Sequence, residues 1–176
     1  MSAPLETKRA PAALSQVDRA GVFEGYASLF GAVDLGGDRV MPGAFAQTLR
    51  ERGAGGVKML WQHDSHAPLG VWLSIEEDAR GLKVRGRLNL AVARAREAHA
   101  LMREGAVDGL SIGYRTRRAT KDARAGVRRL HAVDLYEISV VTFPMQPEAR
   151  VANVKQDLRA RWRRDADAVQ DGLARL

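Results

Sequence analysis

GAVDGLSIGYRTR, residues 105–117, carries the letters G-x-S-x-G from Gly109 to Gly113. In the α/β-hydrolase elbow that pattern follows a strand and opens a helix, so that a strained turn lifts the serine out of the sheet. Here the order is inverted. Upstream, AVARAREAHALMREG (residues 91–105) is rich in Ala, Leu, Met, Arg and Glu and ends on a glycine. That predicts a helix over Val92–Glu104 with Gly105 as its C-terminal cap. Downstream, SIGYRTR alternates as a strand does. The stretch therefore reads as helix, turn, strand. The elbow is excluded, while Ser111 stays open as a serine that begins a strand.

Working outward, LHAVDLYEISVVTFPM (residues 130–145) is β-branched and aromatic enough for a buried strand, stopped by Pro144. LGVWLSIEEDARGLKVRGRLNL (residues 69–90) reads as a hairpin turning at Asp78–Gly81. Leu82, Val84, Leu88 and Leu90 alternate there with Lys83, Arg85, Arg87 and Asn89, so the sheet has one wet face. VKMLWQHD (residues 57–64) puts Val57, Met59, Trp61 and His63 on one side of a strand and Lys58, Leu60 and Gln62 on the other. His63 thus ends an apolar row, and SHAPLG after it reads as a loop. FEGYASLF (residues 23–30) forms a further strand. GAVDLGGDRVMPGAF then makes a glycine-rich turn leading into a short helix, Ala44–Arg52. The acids of that turn lack the full calcium-loop spacing, so it reads as structural.

Three stretches fall outside this pattern. Residues 1–20 are Ala/Pro-rich and read as a loose arm. RRATKDARAGVRR (residues 117–129) reads as a basic loop. From Glu148 onward, Val151, Val154, Leu158, Trp162, Val169 and Leu173 recur at helical spacing, predicting an amphipathic C-terminal helix. Many short strands, two clear helices and no βαβ rhythm give an α+β class, an antiparallel β-barrel or curved sheet with peripheral helices. The expected division is an arm over 1–20, a domain over 21–150 and a tail over 151–176.

At 176 residues, 45% hydrophobic and 28% charged, the chain is suited to one globular core. It has no cysteine, which removes disulfides, thiolate metal sites and cysteine nucleophiles. The N-terminus lacks the apolar centre of a signal peptide, and no run approaches the roughly 18 apolar residues of a membrane span. A cytosolic protein without membrane contact is expected. A net charge of +7 suits an acidic partner, yet the arginines are spread over every segment and no nucleic-acid-binding motif appears. Nucleic acid is not expected as the main partner.

A nucleophilic serine needs a base within hydrogen-bond reach, and imidazole titrates in the right range. Of the four histidines, His99 lies on the predicted helix, His66 in the SHAPLG loop and His131 just before the late strand. His63, at a strand end, is best placed to be aimed into a cleft. A metal reading of His63, Asp64 and His66 lacks the helical H-E-x-x-H geometry, so neither a metal nor a cofactor is expected. A carboxylate must also fix the imidazole. Glu137, within the apolar run LYEISVV, is costly to bury unless partnered, and Asp134 and Asp64 compete with it.

Taken together, GYASLFGAVDLGGDRVMPGAF, MLWQHDSHAPLG, VDGLSIGY and LYEISVVTFPMQPEA resemble, in order, the blocks of the prohead maturation proteases of tailed phages, over roughly residues 22–154. The resemblance implies a serine endopeptidase distantly similar to herpesvirus assemblin, with a β-barrel core surrounded by helices. It implies His63 as base and Ser111 as nucleophile. The E-I-S block suggests Glu137 as third member, and the second histidine of assemblin makes His131 a rival. Arg115 shares the strand parity of Ser111 and is a candidate oxyanion donor beside backbone N–H groups. The implied partners are the major capsid protein with its scaffolding segment and further copies of this chain. The implied place is the assembling procapsid in the bacterial cytoplasm, of a phage, a prophage or a gene-transfer particle. A catalytically silent internal scaffold is the alternative.

Overall fold

The computed structural model describes residues 17–122 and 124–151. Its strands are β1 (Val22–Leu29), β2 (Asp38–Val40), β3 (Lys58–Trp61), β4 (Asp64–Glu77), β5 (Gly81–Leu88), β6 (Gly109–Asp122) and β7 (Val127–Val141), with helices α1 (Ala46–Gly56) and α2 (Ala93–Glu104). One sheet holds every strand, in the order β1-β5-β4-β3-β7-β2, and β6 pairs with β7 on its other edge. The predicted hairpin is β4–β5, in which Leu82, Val84 and Leu88 are buried and Lys83, Arg85 and Arg87 exposed. The predicted α2 lies one residue inside its expected start and is closed by Gly105 in the left-handed conformation, φ 76°. The other helix runs four residues past its expected end, with a break at Gly53. The predicted C-terminal helix lies outside the described residues.

β7 organises the sheet because both of its edges are used. β6 runs antiparallel along one edge. On the other edge β2 pairs in parallel with Arg128–Leu130 and β3 in parallel with Glu137–Val140. The expected antiparallel barrel thus contains two parallel pairings. The cause is the connection: the chain leaves β2, passes through α1 and returns in the same direction as β3. Between those two strands, backbone donors of β7 need other partners. The carbonyl of Ala44 accepts from Val133 N–H at 3.0 Å, and the buried Thr48 hydroxyl of α1 accepts from Leu135 N–H at 3.2 Å. Arg52 of α1 reaches Asp134 of β7 at 2.9 Å, fixing the helix to the same strand.

Two segments read as loops are strands. SHAPLG belongs to β4, because Leu60 and Met59 of β3 pair with Pro68 and Gly70. The basic segment 117–129 is largely the distal β6–β7 hairpin, paired out to Asp122 and Val127. Its charges are partly met across and beyond the hairpin, by Arg129–Asp122 at 2.9 Å and by the Arg128–Asp38 pair at 2.5 Å. Asp38 also accepts from the Tyr114 hydroxyl at 2.8 Å. The acidic turn before β2 is structural as expected: Asp34 Oδ1 accepts the N–H groups of Gly36 and Asp38, both at 2.9 Å.

Residues 149–151 close the sheet into a barrel. Ala149 O accepts from Leu110 N–H on β6 at 2.8 Å, and Arg150 O accepts from Tyr26 N–H on β1 at 3.0 Å. Gln146 adds a two-point clasp, accepting from Leu29 N–H at 2.6 Å and donating to Leu29 O at 3.0 Å. The core inside includes Phe23, Met59, Leu69, Leu82, Leu110 and Ile138, all fully buried, together with Val17 and Val151 at the ends of the described chain. Phe23 meets Trp72 edge-on at 5.7 Å between ring centroids.

The closure requires a glycine at position 25. A Cβ there would lie 2.4 Å from Arg150 O and 2.8 Å from Val151 Cα, both backbone atoms with little freedom to yield. Gly25→Ala should therefore lower stability by about 1–3 kcal/mol, the range for overpacking. Gly55→Ala, with open space around it, should be neutral or slightly stabilising. Equilibrium denaturation of both variants checks this, and equal stability of the two would refute the closure role.

Candidate active site

Three neighbouring strands deliver the candidate residues to one patch. The strand β7 carries Glu137 and Ser139, and a bulge decides which way they face. Gly113 of β6 pairs with Glu137 while the adjacent Tyr114 pairs with Leu135, which leaves Tyr136 as the extra residue. Before the bulge Val133 and Leu135 are buried in the core, and after it Ile138 and Val140 are. A regular strand would have sent Glu137 and Ser139 inward with Leu135. The extra residue switches the parity and turns both to the outer face. On β6, Ser111 lies directly opposite Ser139, and Gly113 opposite Glu137, so all four positions share that face.

His63 arrives differently from the expected strand end. β3 stops at Trp61, which pairs with Asp64 across a two-residue turn in which Gln62 and His63 both have positive φ, 52° and 62°. Positive φ at both central positions is the mark of a type I′ hairpin, which normally favours Asn and Gly. The turn breaks the alternation that would have kept His63 in the apolar row with Met59 and Trp61, and swings it over β7. Gln62 N–H donates to Val140 O at 3.0 Å and the Gln62 amide donates to Thr142 Oγ1 at 2.8 Å. These bonds hold a conformation that costs such residues on the order of 1–3 kcal/mol.

The side chains close a ring. His63 Nδ1 lies 2.6 Å from Glu137 Oε1, Ser139 Oγ donates to Glu137 Oε2 at 2.6 Å, and His63 N–H donates to Ser139 Oγ at 3.1 Å. With Nδ1 carrying the proton toward the carboxylate, Nε2 is left with its lone pair as an acceptor. The hydrogen bond to Glu137 raises the His63 pKa above its ordinary 6.5, against an opposing effect of partial burial. The carboxylate lies over Gly113, where a Cβ would sit 2.1 Å from Oε1. The carboxylate that holds the imidazole therefore extends from β7 over β6. Ser111 is 6% exposed, and among the described residues no hydrogen bond engages its hydroxyl. Beside it opens a recess lined by Ser28, Asp38, Ser111, Ile112, Met145 and Gln146. A hydroxyl, an oriented imidazole and a carboxylate in this order can perform general-base-assisted nucleophilic attack. The contact between hydroxyl and base in such sites commonly tightens only when substrate binds.

The other candidates have different partners. His131 Nε2 lies 2.8 Å from Thr120 Oγ1, in the distal half of the hairpin. His66 is on β4 beside Asp64, its side chain 93% exposed, and His99 Nε2 is 2.7 Å from Asp18 O. Asp134 is held by Arg52 and by the Tyr136 hydroxyl. The Arg115 guanidinium sits over the Tyr136 ring at 5.4 Å. Ser139 and Gly113 were not singled out from the sequence. The available signal was spacing: a serine two residues from Glu137 in an otherwise apolar strand, and a glycine two residues from Ser111.

Residues 9–162 match the family model described as caudovirus prohead serine protease. The chain is 37% identical over 137 residues to the prohead protease of Enterobacteria phage HK97, a match that covers 77% of this chain and 60% of that protein. It thus spans less than two thirds of that relative's length. It is 28% identical over 105 residues to the capsid polyprotein of Pseudomonas phage PAJU2, covering 56% of this chain and 16% of that one. Among solved structures, the bacteriophage T4 capsid assembly protease superposes with a TM-score of 0.55 at 14% identity, covering 70% of this chain and 82% of that one. The KSHV protease in complex with a hexapeptide phosphonate inhibitor gives a TM-score of 0.50 at 10% identity, covering 74% and 63%. The expected assemblin-like α+β fold is therefore the observed one.

Because the Glu137 carboxylate favours the charged imidazolium, His63 should stay protonated to higher pH than an ordinary histidine. Replacing that charge in Glu137→Gln should move its midpoint downward. An NMR titration of the His63 ring protons checks the sign, and an unchanged or higher midpoint in the variant would contradict the pairing.

Proposed function

The chain belongs to the caudovirus prohead serine protease family, and from that premise we propose that it is a serine endopeptidase that cleaves the scaffolding segment of a major capsid protein inside an assembling procapsid. The observation that carries this reading is the closed ring of His63, Glu137 and Ser139 next to the hydroxyl of Ser111, which has no competing hydrogen bond among the described residues. Prohead and capsid assembly proteases among its relatives support the substrate class.

In this reading Ser111 Oγ attacks the carbonyl carbon of the scissile peptide while His63 Nε2 takes its proton. The resulting imidazolium is stabilised by Glu137 through Nδ1, without transfer of that proton to the carboxylate. The tetrahedral intermediate collapses as His63 returns the proton to the leaving amine, giving an acyl ester on Ser111. Water, deprotonated by the same Nε2, then attacks the ester; the C–Oγ bond breaks as His63 returns the proton to Ser111 Oγ, and the acid leaves. Stacking of Arg115 on Tyr136, four residues along β6 and roughly 13 Å from Ser111 at strand spacing, favours backbone N–H groups over this guanidinium as the oxyanion donors.

The test is intact-mass analysis of the capsid precursor co-expressed with the wild-type chain or with Ser111→Ala. Wild type should shorten the precursor at a defined bond. The variant should retain its fold, since it loses one hydroxyl that bonds no described residue, and should process at least about ten-thousandfold more slowly. Equal processing by both chains would remove Ser111 from the mechanism. Bacterial cytoplasm as the site of action, self-cleavage and self-association belong to the same proposal.

A further inference from the structure

Ser139 is a fully buried polar residue on the outer face of β7, between Ile138 and Val140. Its hydroxyl has one proton and two lone pairs. The proton goes to Glu137 Oε2 at 2.6 Å, and a lone pair receives the main-chain N–H of His63 at 3.1 Å. Both partners belong to the candidate site, and neither bond serves the sheet ladder. The direction of the proton also separates the two serines. The Ser139 hydroxyl is committed to a carboxylate, whereas the Ser111 hydroxyl has no hydrogen-bond partner among the described residues.

We propose that Ser139 is a positioning residue, which locks the base to its carboxylate and holds both opposite Ser111; the inference rests on the proteolytic reading above. A single contact, Glu137 Oε1 to Nδ1, would leave the carboxylate free to turn about its terminal bond and the imidazole free to follow. Pinning Oε2 removes that rotation. Pinning His63 N–H ties the left-handed turn of Gln62 and His63 to the strand on which Glu137 stands. Ser139 is itself the cross-strand partner of Ser111, so the hydroxyl that fixes the base sits directly across from the nucleophile. Gly113 completes the arrangement by leaving the space the carboxylate occupies.

Ser139→Ala leaves Glu137 Oε2 and His63 N–H without their present partner while removing only one atom. With a labelled capsid-precursor peptide as substrate, kcat should fall about tenfold to a hundredfold, the scale of a small misplacement of reacting groups, while KM stays within about twofold. Nitrogen NMR of the full chain with labelled histidine should show His63 protonated at Nδ1 in wild type and a tautomer mixture in Ser139→Ala. The double variant Ser139→Ala/Glu137→Gln should be no slower than Glu137→Gln alone, because the serine acts through the acid. Ser139→Thr, which keeps the hydroxyl, should recover the wild-type tautomer. An unaltered tautomer in Ser139→Ala, or additive losses in the double variant, would overturn the proposal. The NMR readout needs no cleavage, so loss of the Ser111 assignment and loss of the Ser139 role are told apart.

Discussion

The extra residue in β7 is the constraint on which the site depends. A fifteen-residue strand paired on both edges has no freedom to choose a register locally. Its hydrophobic residues must face the barrel interior, and an uninterrupted alternation starting at Val133 would bury Glu137 among them. A carboxylate there would carry a desolvation cost of several kcal/mol without a partner. Placing Tyr136 as a bulge keeps Val133, Leu135, Ile138 and Val140 inside and moves the acid to the outer face. The bulge is braced from outside by α1, whose Arg52 lies over the Tyr136 ring at 4.4 Å and bonds Asp134. Parallel placement of β3 beyond the bulge then brings the His63 turn to the same face.

The second requirement is that groups from two strands, β6 and β7, and from the two-residue turn after β3 converge on one face. The sheet supplies the convergence because β7 lies between β3 and β6, whose residues opposite Ser139 are Leu60 and Ser111. The local backbone carries the cost. Gln62 and His63 both adopt positive φ, and neither is a residue that turn chemistry favours there. That departure lies at the residue proposed as the base, and side-chain and main-chain bonds to β7 offset it. Barrel closure by residues 149–151 completes the scaffold by tying β1 to β6 at the end of β6 where Ser111 stands.

Much of this was legible from residue order. The helix over α2 with its Gly105 cap, the β4–β5 hairpin and the long strand ending before Pro144 all followed from periodicity and turn chemistry. Ser111 at the start of a strand after a helix followed as well. The basic segment 117–129 was not legible, because its arginines alternate with few apolar residues. Pairing with β7 and the acids Asp38 and Asp122 make it a strand. His63 was found for a reason that proved incomplete: strand alternation put it in an apolar row, and the structure puts it in a turn. Ser139 was overlooked because an isolated serine in a buried strand has no signature apart from its neighbours.

The sequence by itself determined the α+β class, the order of elements, the rejection of the nucleophile elbow and the short list of His63, Ser111 and Glu137. These rest on local preferences and on motifs that survive in one dimension. Only the tertiary structure decided that β3 runs parallel to β7, that a bulge faces Glu137 outward, and that Glu137 rather than His131 meets the His63 ring. Strand partners far apart in the chain fix which face a side chain takes, and a single inserted residue reverses it. Such information exists only once the strands are paired.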